Sequence, residues 1–361
     1  MRIGPHYIGN GRCEFSIWAP FLKDVAIKMV SPEERLIPMS RYKNGYWKVV
    51  VDDVFPRTLY FYRLERSLDR PDPASNFQPE GVHGPSQIVD HSAFQWEDKN
   101  WRGINLENMI IYELHVGTFT NEGTFDAIIP RLDDLCDLGI NAINIMPVAQ
   151  FPGERNWGYD GVHPFAVQNS YGGLEGLKRL VNACHKRGIA IILDVVYNHL
   201  GPEGNYLGDF GPYFTEKYKT PWGSAINFDD AYSDEVRNFF IENALYWFLH
   251  YHVDGLRLDA VHAIYDMSAK PFLHEVAERV EDFSNEYGRK FYLIAESNLN
   301  DVKVITRRKF GGYGINAQWC DDFHHSLHTL LTDEKTGYYI DFGNMEQFVK
   351  ALREGFVISW L

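Results

Sequence analysis

The sequence predicts an α/β fold in which a parallel sheet curls into a barrel, preceded by a β-sandwich of immunoglobulin size. Three observations carry this reading. Residues 1–95 read as short strands punctuated by turns. From Met109 onward, apolar strand-like runs alternate with amphipathic helical stretches, the pattern of a parallel sheet with right-handed crossovers. The stretch Gly255-Leu256-Arg257-Leu258-Asp259-Ala260-Val261-His262 then alternates like a buried strand. Leu256 and Leu258 share one parity and Arg257 and Asp259 the other, so guanidinium and carboxylate lean to the same side. A strand carrying an ion pair to its C-terminal end suits a barrel whose chemistry sits at that rim.

Length and composition bound the possibilities. With 361 residues the chain suits one large α/β domain plus a smaller one, and 45% hydrophobic residues are enough for a sizeable core. A net charge of −14 argues against nucleic acid or an anionic membrane as partner and is neutral towards uncharged sugars. The 15% aromatic content fits sugar binding, because pyranose faces pack on Trp and Tyr rings, although ordinary core packing accounts for most of these rings. Cys13, Cys136, Cys184 and Cys320 stand far apart without metal or redox spacing, which reads as reduced thiols in a cytoplasmic protein. No cationic leader opens the chain and no stretch is long enough to span a bilayer. Oligomeric state is left open.

Taken in order, strands are expected at 13–19, 25–30, 46–51 and 59–64, with Asn44-Gly45 as a tight turn before the third. The Pro-rich stretch from Pro71 to Pro85 reads as the linker, which divides the chain into a module over 1–95 and a barrel over 96–361. The module is expected either to bind glucan or to buttress its neighbour. Barrel strands are expected at 109–116, 141–148, 190–197, 253–261, 291–297 and 315–323. One helix should run from Thr124 to Leu138 and stop at Gly139. Another should be capped by Ser233 and bury Val236, Phe240, Ala244, Trp247 and Tyr251 at helical spacing. Further helices are expected near 324–331 and 344–354. The connection over 200–230 is long, turn-rich and aromatic, and a loop of that size after a barrel strand is usually functional.

Four stretches place chemistry-bearing side chains at successive strand ends. Trp157-Gly158-Tyr159-Asp160 follows the second strand, and Asp194-Val195-Val196-Tyr197-Asn198-His199 ends the third. Asp259 ends the fourth, with His262 just beyond, and Leu293-Ile294-Ala295-Glu296 ends the fifth. Singly, each residue has an ordinary reading as a cap, a solvated charge or a packing ring. Their order together is far less ordinary. This arrangement resembles the α-amylase superfamily of glycoside hydrolases, which are (β/α)8 TIM barrels. The resemblance covers the chain from about Asn108, and the N-terminal module is similar to the carbohydrate-binding module of branching and debranching members. It implies that Asp259 is the nucleophile and Glu296 the general acid/base, with Arg257 setting the charge state of Asp259. It further implies that Asp194, Asn198, His199, His262, Trp157 and Asp322 shape the sugar site, and that Tyr159 stacks at the cleavage point. A retaining mechanism of this kind needs one ionised and one protonated carboxyl group roughly 5–5.5 Å apart, so a low pKa is expected for Asp259 and a raised one for Glu296.

Finer matches narrow the resemblance. Met146-Pro147-Val148-Ala149-Gln150-Phe151-Pro152-Gly153, Gly201-Pro202-Glu203-Gly204-Asn205-Tyr206, Thr220-Pro221-Trp222-Gly223, Gly311-Gly312-Tyr313-Gly314 and Gln318-Trp319-Cys320-Asp321-Asp322-Phe323-His324-His325 are similar to members that release trehalose. Those members cleave the α-1,4 bond beside a terminal trehalose unit of a malto-oligosaccharide. The competing resemblance is to glucan branching members, which are transferases and usually carry a Pro-Gly-His-Phe type segment after the Asn-His motif; it is absent here. A third reading is a non-catalytic glucan-binding protein using the module and the Trp157/Tyr159 platform. The Asp321 to His328 cluster lacks zinc spacing and the long loop lacks a calcium pattern, so neither metal nor cofactor is expected. The family's third carboxylate, the Asp of an Asn-His-Asp motif after the seventh strand, does not follow Phe323. Six strands where closure needs eight lead to the expectation of an incomplete, C-terminally truncated barrel, poorly stable and nearly inactive on its own.

Overall fold

The structure, a computed structural model, describes residues 2–358; Met1 and residues 359–361 lie outside the described residues. Two antiparallel sheets form the first part of the chain. One has the strand order Gly4–Gly9, Arg12–Trp18, Tyr46–Asp52, Ser40–Arg41. The other runs Arg35–Pro38, Val25–Ser31, Leu59–Leu64, Leu68–Arg70, with Ser86–Gln87 also pairing onto Leu59–Leu64. Alternate residues of these strands, among them Phe15, Ile17, Ile27, Tyr60 and Tyr62, are fully buried. Asn44 turns the chain ahead of Tyr46–Asp52 in the left-handed region, at φ 59°, a conformation that Asn tolerates better than most residues.

The stretch from Pro71 to Pro85 is not a free tether. Pro71 to Asn76 are all buried. Asp72 accepts hydrogen bonds from the Tyr60 hydroxyl at 2.6 Å and the Ala74 N–H at 2.7 Å. Burial pushes the Asp72 carboxyl up to about 6. A buried acid held by a strand tyrosine fixes the start of this segment to the sheet.

The second part contains a parallel sheet of six strands in sequence order: Ile111–Leu114, Ala142–Ile145, Ala190–Val195, Gly255–Leu258, Tyr292–Glu296 and Ala317–Trp319. Each lies inside its expected range. The helices Gly173–Lys186, Ser233–Tyr251 and Phe272–Tyr287 follow the second, third and fourth strands. Helix Ser233–Tyr251 buries Val236, Phe240, Ala244, Trp247 and Tyr251, as the periodicity predicts. Its cap differs: Tyr232 occupies the N-cap at φ 68°, and Ser233 is the first helical residue. The Thr124–Leu138 helix is also interrupted. Phe125–Ile128 and Leu132–Asp137 flank a single 3-10 turn, Ile129–Arg131, where Pro130 lacks the N–H that a continuous helix needs. The sixth strand stops at Trp319, and helix Asp321–Thr332 begins where the strand was expected to continue.

The long connection folds into a short helix, Leu207–Phe210, and a hairpin of Phe214–Thr220 with Gly223–Ile226. The antiparallel module braces it. Trp18 packs edge-on against Tyr213 at 5.3 Å and Tyr62 against Phe210 at 5.9 Å. Arg70 pairs with Asp209 at 2.6 Å, and His83 bonds the Tyr206 hydroxyl at 2.6 Å. Buttressing is thus a role these contacts show directly.

A charged network closes the opposite, N-terminal end of the sheet. Asp254 precedes the fourth strand and accepts from the Ile191 N–H at 2.8 Å, His185 at 3.0 Å and Trp101 at 2.7 Å. His185 also bonds Asp98 at 2.9 Å, and His252 bonds the same Asp98 oxygen at 2.8 Å. Arg289 supplies a further donor to Asp254. Burial opposes the charge on Asp98 and Asp254, but their hydrogen-bond partners outweigh it and hold both pKa values below the ordinary carboxylate range.

Candidate active site

Register explains how the acidic residues meet. In the parallel pairing Asp194 lies opposite Arg257, and Leu258 lies opposite Ala295. The next residues along, Asp259 and Glu296, therefore emerge level with each other at the C-terminal rim. Arg257 sits among three carboxylates. It donates to Asp194 at 2.6 Å and to Asp259 at 3.3 Å, and forms an ion pair with Glu296 at 3.1 Å. Its guanidinium also lies 5.8 Å from the Trp319 ring centre.

Asp259 is further held by Asn198, whose side-chain amide donates to both its carbonyl and its carboxylate at 2.8 Å. Ala260 takes the left-handed conformation, φ 39°, and turns its N–H onto Glu296 Oε2 at 2.7 Å. Burial is the largest influence on Asp259 and pushes its pKa up, with the nearby Glu296 charge adding to it; Asn198 and Arg257 pull the other way and do not win. This corrects the expected low pKa. The physical reason is that the carboxyl group is desolvated beside a second acid, while the short contact of Arg257 goes to Asp194.

Asp194 is 1% exposed, and burial raises its carboxyl to about 7 against the pull of Arg257. Tyr159 donates its hydroxyl to Asp194 at 3.0 Å, which fixes the ring above the strand end. The loop carrying Tyr159 is itself tied down. The Asn156 amide donates to Asp160 at 2.6 Å and its carbonyl accepts from the Gly158 N–H at 2.8 Å. Gly158 has φ 100°, and a Cβ there would sit 2.1 Å from the Pro147 carbonyl oxygen, so only glycine fits. His199 donates to the Tyr159 carbonyl at 2.9 Å, contacts the Asn198 amide oxygen and stacks on Trp222 at 4.0 Å.

The remaining expected residues divide. Trp157 is 72% exposed near the His115 ring, free to offer a face. His262 is exposed on the 3-10 turn after Asp259. Asp322 is buried and accepts from Asn300 at 2.9 Å, Val357 N–H at 2.6 Å and Ile358 N–H at 2.9 Å, so it ties residues 357 and 358 to helix Asp321–Thr332. Sequence reasoning gave no role to Trp319 beneath Arg257 or to Ala260, because both act through contacts that spacing does not encode. Among the described residues no group of three or more His, Cys, Asp or Glu has the arrangement to hold a metal ion, and no helix is long and apolar enough to cross a membrane.

A parallel sheet with two carboxyl groups and an arginine at its C-terminal rim is an arrangement that can serve glycoside hydrolysis, and known proteins share its sequence. Residues 90–221 match the model for the alpha amylase catalytic domain. The chain is similar to enzymes of that kind. It is 51% identical to the malto-oligosyltrehalose trehalohydrolase of Saccharolobus solfataricus and 47% identical to that of Arthrobacter ramosus, over 95% and 94% of this chain. It spans 60% of the length of each of these relatives. A 1,4-alpha-glucan branching enzyme of Bacillus caldolyticus is more distant, at 29% identity over 88% of this chain and 52% of its own length. Among solved structures, a putative alpha amylase from Salmonella typhimurium superposes with TM-score 0.90 at 39% identity, covering 98% of this chain and 60% of that one. A pullulanase from Anoxybacillus complexed with maltotetraose gives TM-score 0.75 at 25% identity, over 90% and 54%.

Proposed function

We propose that this chain carries the catalytic pair of a retaining α-glucan hydrolase that cleaves the α-1,4 bond beside the terminal trehalose of malto-oligosyltrehalose and releases trehalose. The single observation that carries the chemistry is that one guanidinium, Arg257, reaches both the Asp259 carboxyl group at 3.3 Å and the Glu296 carboxyl group at 3.1 Å. The reaction needs such a pair: one carboxylate to attack, one acid to release. Two carboxyl groups gathered by one guanidinium suit the retaining arrangement, in which the pair is roughly 5–5.5 Å apart. Asp259 attacks the anomeric carbon while Glu296 gives its proton to the glycosidic oxygen, so the C–O bond breaks and trehalose leaves as an alcohol. Glu296, now a carboxylate, takes a proton from water, which attacks the glycosyl-Asp259 ester and regenerates both groups. Arg257, Asn198 and Ala260 position the pair, Tyr159 and Trp157 offer rings to the sugar, and Asp194, His199 and His262 complete the site wall.

The trehalohydrolase reading over the branching reading rests on the higher identity to enzymes of that name. Residues 1–95 form the immunoglobulin-like module, and residues 96–361 belong to the barrel domain; four free cysteines fit a cytoplasmic setting. The chain holds two of the three carboxylates that the family resemblance implies. The test incubates this chain and its Asp259→Asn variant with maltotriosyltrehalose and follows free trehalose, with glucan-affinity electrophoresis alongside. Trehalose release by the parent, abolished in the variant while glucan retardation persists, supports the reading. Retardation with no release from either chain favours the binding-module alternative. Hydrolysis unchanged by Asp259→Asn overturns the nucleophile assignment.

A further inference from the structure

At the far end of the sheet from Glu296, a cavity of about 580 Å³ opens between helix Phe272–Tyr287, the start of the fifth strand and the segment 305–316. Its floor is apolar: Val280, Phe291, Leu293 and Ile315 are all buried. Its rim is cationic, carrying Lys290, Arg307, Arg308 and Lys309. Arg308 is matched by Glu281. Among the described residues no carboxylate lies within ion-pair distance of Lys290, Arg307 or Lys309; Lys290 and Lys309 lie near the faces of Tyr292 and Phe310. Asn316 spends its amide oxygen on the Leu293 N–H at 2.8 Å, which leaves its amide N–H groups as donors at the cavity wall.

Three unmatched cations around one concavity stand out in a chain of net charge −14. The overall field repels anions, but at physiological salt it is screened within about 8 Å, so a local cluster sets the potential inside the cavity. The volume lies within the range of small-molecule sites. We propose that this cavity binds a phosphate ester of nucleotide size, with the phosphates between Arg307, Lys309 and Lys290 and an aromatic or apolar body over the Phe291/Ile315 floor. The arginine fork suits phosphate oxygens, and each charge-assisted contact carries weight that a neutral ligand forfeits. The site is separate from the carboxylate pair, so it stands whether or not the glycosidase reading does.

Titration calorimetry with ATP as probe tests this, with adenosine and heparin as comparisons. We expect saturable one-to-one ATP binding, none for adenosine, and about tenfold weaker binding in Arg307→Glu and in Lys309→Glu. Lys290→Gln, the milder change, should weaken binding in the same direction, and circular dichroism verifies that each variant is folded. Charge reversal at Lys43, on the antiparallel module far from the cavity in sequence and outside its lining, should change nothing. No binding of ATP, binding indifferent to the rim variants, equal loss with Lys43→Glu, or heparin binding with no saturable ATP site each overturns the proposal.

Discussion

Arg257 donates to Asp194 at 2.6 Å and reaches Asp259 only at 3.3 Å. The arginine two residues before the proposed nucleophile therefore serves first as the anchor of a different, fully buried acid. Its pull on Asp259 is the weaker for it, and burial leaves the Asp259 pKa raised. The charge balance of the site is shared among Asp194, Asp259 and Glu296 and is not a private matter of one pair.

Arg257→Lys tests that sharing. A lysine ammonium cannot present a planar fork to several carboxylates at once. Losing one charge-assisted hydrogen bond costs about 1.5–3 kcal/mol, so kcat should fall by about tenfold to a hundredfold. Asp259 must be ionised to attack, and weaker positive charge raises its pKa further. The acid limb of the kcat/KM profile should move to higher pH; an unmoved limb contradicts the assignment.

Ala260 holds a left-handed backbone in order to aim its N–H at Glu296. Glycine adopts that conformation freely, whereas a β-branched residue does not. Ala260→Gly should keep activity, while Ala260→Val should lose stability by about 1–3 kcal/mol and lower kcat as the N–H leaves Glu296. Thermal melts and steady-state rates on the two variants decide it. Equal behaviour of both would show the backbone conformation to be incidental.

Trp157 is mostly exposed and supports no core packing. Trp157→Ala should leave the unfolding free energy within about 0.5 kcal/mol of the parent. Its effect should fall on KM for longer malto-oligosaccharides with kcat largely kept. A kcat loss without a KM change would place the ring elsewhere in the reaction.

The network at the N-terminal end of the sheet predicts a pH window. Asp98 and Asp254 have lowered pKa values, so their contribution is full above the unfolded value near 3.8 and is lost as pH falls through the folded values. For His185 burial lowers the pKa, but the bonds to Asp254 and Asp98 outweigh it and leave it raised. Its contribution is full below 6.5 and is lost as pH rises through the folded value. The network stabilises most between about pH 4 and 6.5. In His185→Gln the alkaline decline that begins above about pH 6.5 should flatten in urea titrations, and an unchanged profile would remove the network from the account.

What the sequence made legible was whatever depends on local alternation. The parity of Arg257 and Asp259, and the carboxylates Asp194 and Glu296 at strand ends, follow from a two-residue period and were readable in advance. Helix Ser233–Tyr251 showed its buried face through the 3.6-residue period, yet its cap did not, because Tyr232 takes a left-handed turn where Ser233 carried the usual signal. Pro130 was in plain view, and its missing N–H splits the Thr124–Leu138 helix. The bonds of Asp322 to Val357 and Ile358 were not readable, because those partners lie more than thirty positions away with no local mark. Asp72 is similar: nothing in a Pro-rich run announces that a strand tyrosine will bury it.

The seam formed by Trp18 and Tyr62 against Tyr213 and Phe210 has its own implication. Both rings belong to the interior of the antiparallel module, yet they fix the resting place of a hairpin whose Trp222 leans on His199. The position of Trp222 beside His199 thus depends on rings in the first hundred residues, and a repacking of that interior would shift a wall of the proposed site without touching it.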